Sequence, residues 1–147
     1  MKFNIITSYP KSGNTWIRYI IYELFFNPKN HENDNSLNIK KFIPDLHEIQ
    51  IKNNQLILDE NLKNKEIFIK SHYSFDQMKN FPMDKIILVI RNPLDVFVSL
   101  YNYYNLDVQN KNKYVEDFAK NHNLPDLYKL NFPSWSEHLT KWLDSNL

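Results

Sequence analysis

The sole glycine, Gly13, stands where a short apolar stretch turns into a helical one, and this junction constrains the fold more than any other feature. Residues Phe3 to Thr7 are apolar or β-branched and read as a short buried strand. The polar turn Ser8 to Gly13 follows. From about Asn14 to Phe26 the spacing is helical. Trp16, Ile17, Ile20, Ile21, Leu24 and Phe25 share a face, Arg18 and Glu23 lie off it, and Pro28 ends the pattern. A strand running directly into a helix is half of a βαβ unit.

The rest of the chain repeats that logic. Residues 27–65 are dense in Asn, Lys and acids, with short apolar islands such as Phe42-Ile43-Pro44, and read as loops and short helices over one sheet edge. A second strand is expected over Glu66 to Lys70, leading into Ser71-His72-Tyr73. A third, Lys85 to Ile90, is an unbroken apolar run, as in a parallel strand covered on both faces. It meets Arg91-Asn92-Pro93, and a helix follows to about Tyr104, with Pro93 in its first turn and Asp95 near its positive end. Further helices are expected over Tyr114 to Asn121 and Ser134 to Ser145. At 147 residues, with no repeat or linker, the chain reads as one domain, 1–147, of the α/β class.

Composition removes whole classes of function. A formal charge of +1 gives no global field to recruit nucleic acid or an anionic membrane, so any anion site must be local. The absence of cysteine excludes disulfides, thiolate metal sites and a cysteine nucleophile. No apolar stretch approaches the roughly 20 residues of a membrane span, and the N-terminal apolar segment is too short for a signal peptide. A cytoplasmic protein is the resulting expectation. The five histidines are too widely spaced for a metal-ligand pattern. The P-loop signature and the dinucleotide fingerprint each need at least two glycines, so both are excluded.

Three strand ends nevertheless carry groups suited to phosphate or sulfate. The first delivers Lys11 and a helix N-terminus, the second Lys70 and His72, the third Arg91. In open α/β sheets ligands bind at the carboxyl ends of the strands, so these groups are expected to converge. Gly13 permits a tight turn, amides at the helix start suit an anion, and Lys11, Asn14 and Thr15 add donors. The competing reading is an ordinary turn capped by Ser12 or Asn14. Arg91 offers a planar fork for phosphate, with an ion pair to Asp95 as its alternative, and Ser99 lies two turns after Asn92. An imidazole titrates near neutrality, which makes His72 the candidate general base. His31, His47, His122 and His138 have no such context.

These segments resemble the sulfotransferases that use 3′-phosphoadenosine 5′-phosphosulfate (PAPS). Tyr9-Pro10-Lys11-Ser12-Gly13-Asn14-Thr15-Trp16 is similar to that family's 5′-phosphosulfate loop, commonly Tyr-Pro-Lys-Ser-Gly-Thr-Thr-Trp, with Asn14 in place of the first Thr. Arg91 to Ser99 resembles its 3′-phosphate segment, and Ile69-Lys70-Ser71-His72 the segment with its catalytic His. The resemblance implies a P-loop-NTPase-like three-layer α/β/α fold with a central parallel sheet. It implies that PAPS is the co-substrate, that no metal takes part, and that the acceptor is a small molecule or glycan. Lys11, Ser12, Gly13, Asn14 and Thr15 would hold the phosphosulfate end, Trp16 would pack near the adenine, and Arg91 and Ser99 would bind the 3′-phosphate, with His72, Lys11 and Lys70 catalytic. Family domains continue through another strand and a late Gly-containing loop, whereas this chain stops at Leu147. The expectation is a domain truncated at its C-terminus, either a sulfotransferase or an inactive remnant that binds the nucleotide or a partner.

Overall fold

The computed structural model describes residues 3–26, 36–49, 51–52, 55–56, 66–104, 110–121, 127 and 132–145. The chain forms two compact units: Met1–Thr7, Gly13–His72 and Phe81–Val89 make one, and Ser8–Ser12, Tyr73–Asn80 and Ile90–Leu147 the other. Each is described by itself.

The first unit is built on a three-strand parallel sheet. Strand β1 (Phe3–Ser8) is buried at every position, as befits the central strand of the order β4-β1-β5. It pairs in parallel with β4 (Phe68–Ser71), from Asn4 opposite Phe68 to Thr7 opposite Ser71. Strand β5 (Met83–Val89) corrects the expectation of cover on both faces. Ile86 to Val89 are half-buried and Ile90 is 53% exposed, because β5 is a sheet edge among the described residues. Between β1 and β4 run helix α1 (Asn14–Phe25), helix α2 (Ser36–Phe42), a 3-10 turn (Leu46–Glu48) and a short antiparallel pair, β2 (Ile51–Lys52) with β3 (Gln55–Leu56). Pro44 accepts from the Lys70 amide at 2.9 Å, and Asp45 bridges to Lys70. The segment after α2 therefore lies along the β4 edge, as expected from the sequence.

Helix α1 is rotated from the face read in the sequence. Its buried residues are Asn14, Arg18, Ile21 and Tyr22, while Trp16 (76%), Leu24 (74%) and Phe25 (60%) are exposed. Spacing alone placed the largest apolar residues inward; the packed face is instead fixed by the Asn14 and Arg18 hydrogen bonds described below. The core joins Ile6, Ile21, Tyr22, Phe26, Ile39, Ile43 and Phe68, each such apolar side chain contributing about 1.5–3 kcal/mol on burial.

The second unit holds α3 (Phe75–Met78), α4 (Pro93–Tyr103), α5 (Lys111–Asn121) and α6 (Trp135–Leu143). The three longer helices fall close to their expected ranges. Asn92 caps α4, its side chain accepting from the Leu94 amide at 2.9 Å, with Pro93 at the first position. Tyr9, Val96, Leu100, Phe118 and Leu127 form the core. Tyr9 meets Phe132 and His138 edge-on, at 5.6 and 5.8 Å between centroids, and burial pushes its phenol up, with Tyr104 adding to the shift. Trp142 donates to the Tyr73 carbonyl at 3.1 Å and packs edge-on against Phe75, which fixes α6 to the start of α3.

Candidate functional site

The loop after β1 is built by two residues with left-handed backbone. Gly13 has φ of 103° and Lys11 has φ of 65°, Lys11 being the non-glycine residue with positive φ among those described. A β-carbon makes this region unfavourable, so Gly13 fits it and Lys11 is strained there. In the second unit the Ser12 amide donates to the Tyr9 carbonyl at 3.2 Å, closing the turn. Arg91 Nη1 donates to the Lys11 carbonyl at 3.1 Å. The Lys11 ammonium sits 4.1 Å from the centroid of the Tyr103 ring, a cation–π contact. Arg91 makes no ion pair with Asp95 among the described residues; its fork faces the loop backbone instead. Ser99 is half-buried on α4.

The capping reading of the loop does not hold. The residue that caps α1 is Gly13, with no side-chain cap bond, and its carbonyl accepts from Trp16 and Ile17. The Ser12 hydroxyl is buried and has no hydrogen-bond partner among the described residues. Buried hydroxyls are normally paired, so an orphan in a helix-entry loop fits a ligand oxygen. Thr15 and Trp16 are exposed at the helix start.

In the first unit Asn14 is 4% exposed. Its amide nitrogen donates to the Ile6 carbonyl at 3.2 Å and to the Ser71 carbonyl at 3.3 Å, so α1 begins tied to the ends of β1 and β4. His72, the next residue, is half-buried. Lys70 is bonded to the Asp45 carboxylate, with both side chains largely shielded at 12% and 15% exposure. Burial works to raise the Asp45 carboxyl, but the Lys70 hydrogen bond and charge outweigh it and hold the group below its ordinary range. Arg18 donates to the Ile43 carbonyl from a buried position; burial lowers its pKa against the opposing charges of Asp45 and Glu48.

Compared with known proteins, residues 4–147 match the model of the sulfotransferase domain. The chain belongs to the sulfotransferase domain family. It is 32% identical over 110 residues to cytosolic sulfotransferase 8 of Arabidopsis thaliana, an alignment covering 69% of this chain and 33% of that one. It is 30% identical to mouse sulfotransferase 1B1 and 26% identical to rat sulfotransferase 1A1, covering 94% of this chain in each case. Those alignments cover 46% and 47% of the relatives, so the chain spans about half their length or less. The P-loop-like α/β fold accords with the family.

Within this sulfotransferase domain the predicted residues gather in two places. Lys11 and Arg91 are joined in the second unit, and Asn14 reaches the peptide next to His72 in the first. Asp45 and Arg18 were missed by sequence reasoning. Arg18 was assigned to the polar side of its helix, and Asp45 lies in a stretch without strong periodicity. The acid that follows the apolar island Phe42-Ile43-Pro44 carries no local sign of its partner, which lies 25 residues further along the chain. Among the described residues no group of three or more His, Asp or Glu is placed to hold a metal ion, and no helix is long and apolar enough to cross a membrane.

Proposed function

We propose that this domain binds PAPS and transfers its sulfuryl group to a hydroxyl or amine of a small-molecule or glycan acceptor, as a single domain acting in the cytoplasm. The observation that carries the reading is the buried, unpartnered Ser12 hydroxyl, in a loop whose sequence resembles the family's 5′-phosphosulfate loop. Lys11, Ser12, Gly13, Thr15 and the backbone amide of Asn14 hold the phosphosulfate end, Trp16 packs near the adenine, and Arg91 and Ser99 hold the 3′-phosphate. Backbone amides at a helix start and a mobile ammonium are complementary to that charge.

PAPS supplies a sulfuryl group on a good leaving group, adenosine 3′,5′-bisphosphate. His72 takes the acceptor's proton as the acceptor oxygen or nitrogen bonds to sulfur and the bridging S–O bond breaks. Lys11 neutralises the charge developing on the leaving oxygen. Lys70, one of whose three N–H donors serves Asp45, supports the sulfuryl oxygens with the rest. Catalysis of this kind rests on positioning and charge stabilisation.

Calorimetry with adenosine 3′,5′-bisphosphate and transfer of labelled sulfate from PAPS to a panel of phenols, alcohols and amines test the proposal. The expected result is bisphosphate binding that is lost in Lys11→Ala, with transfer lost in Lys11→Ala and His72→Ala. A folded chain that binds neither nucleotide refutes it. Binding without turnover supports the reading of a nucleotide-binding remnant.

A further inference from the structure

We propose that the side chain of Asn14 is a positioning residue, not a donor ligand: it fixes the start of α1 to the peptide that carries His72. The inference rests on the sulfotransferase reading above for its functional meaning, but its geometry stands alone. A carboxamide has two N–H donors. Asn14 directs its amide nitrogen at two backbone carbonyls, Ile6 at 3.2 Å and Ser71 at 3.3 Å. These acceptors lie on the neighbouring parallel strands β1 and β4, one residue before the registered pair Thr7–Ser71 on β1 and at its member on β4. The side chain is 4% exposed, so an anion would have to draw a donor away from a buried carbonyl, leaving that carbonyl unpaired.

The Ser71 carbonyl and the His72 amide belong to one planar peptide. Holding that oxygen fixes the plane from which the His72 side chain departs. The same residue opens α1, so the start of that helix and the peptide of His72 are joined by one buried side chain across 57 residues of sequence. The residue common in the resembling loop is Thr, whose single O–H serves one acceptor at a time. The second donor is what Asn contributes here. The backbone amide of Asn14 remains part of the helix start that faces the loop.

The test uses the 147-residue chain and its Asn14→Thr, Asn14→Ala and Asn14→Asp variants. NMR of the histidine rings in the nucleotide-free protein is read beside calorimetry with adenosine 3′,5′-bisphosphate. We expect the His72 ring resonances to move in all three variants while those of His138 stay in place. Bisphosphate affinity in Asn14→Thr should stay within about threefold of the parent, and transfer at saturating PAPS should fall about tenfold, since small misplacements at a reacting centre cost that much or more. Unmoved His72 resonances in a folded Asn14→Thr overturn the proposal, and so does a loss of bisphosphate affinity beyond about tenfold with the transfer rate unchanged. If the parent chain binds no bisphosphate, the sulfotransferase reading fails on its own, and the His72 shifts still decide whether Asn14 is the tie. Should Asn14→Ala or Asn14→Asp not fold, Asn14→Thr, which keeps one hydroxyl donor, carries the decision.

Discussion

Replacing Asp45 by Asn should destabilise the protein far more than an ordinary polar substitution. The carboxylate is 15% exposed and its partner Lys70 12%, so Asp45→Asn leaves an ammonium shielded from water with no counter-charge. Arg18 also loses the carboxylate that most opposes its desolvation; the other, Glu48, is half exposed and already bonded to Lys40 at 2.6 Å. Breaking one side of a buried ion pair costs about 3–5 kcal/mol. Residual exposure puts this case near the lower figure, and at about 3 °C per kcal/mol for a chain of this size the midpoint should fall by roughly 10 °C. The double variant Asp45→Asn with Lys70→Met removes both charges and should recover most of that loss. The folded carboxyl is held below its ordinary value, so the stability it contributes is present above the unfolded value near 3.9 and disappears as pH falls through the folded one. The gap between parent and Asp45→Asn melting curves should therefore be constant from about pH 5 upward and narrow below about pH 4. Differential scanning calorimetry from pH 3 to 8 reads all three effects. A midpoint shift under about 2 °C, or a double variant no more stable than Asp45→Asn, refutes the idea that this pair is shielded from water and that removing one partner leaves the other uncompensated.

Two smaller perturbations test the local geometry. Gly13→Ala meets no atom within 4 Å of the added β-carbon, so its cost is the backbone's alone; forcing φ near 103° on alanine should cost roughly 1–2 kcal/mol in urea unfolding, with an unchanged m-value. Ser134→Ala removes the capping box of α6, in which the Ser134 hydroxyl accepts from the Glu137 amide at 3.2 Å and the Glu137 carboxylate returns to the Ser134 amide at 2.9 Å. It should cost about 1 kcal/mol in the same assay.

Much of this fold was legible because local signals agreed with one another. β-Branched runs bounded by polar turns located β1 and β4 to within a residue or two, and Asn92-Pro93 announced the start of α4. What spacing did not reveal was direction. The apolar positions of α1 were correctly seen, yet the helix turns Trp16 and Leu24 outward, because its inner face is set by hydrogen bonds from Asn14 and Arg18. Periodicity records hydrophobicity and is blind to a buried polar group that finds an acceptor. The third strand was placed correctly but its environment was not, since cover on a strand depends on which neighbours the sheet supplies. At the site, Lys11, Gly13 and Arg91 were readable as residue types at strand ends. The link from Asp45 to Lys70 joins residues 25 apart in sequence and has no local signature.

On the reading proposed above, the strained backbone at Lys11 sets folding and function at odds within one residue. Left-handed φ is a conformation in which glycine or asparagine rests easily and lysine does not, so a library of variants at this position, sorted for thermal resistance alone, would drift away from lysine. The same library sorted for capture of an anion would return to it, because the ammonium resting on Tyr103 is the one mobile charge the loop itself presents. Two selections giving opposite answers at one position would mark a functional residue without any comparison between species.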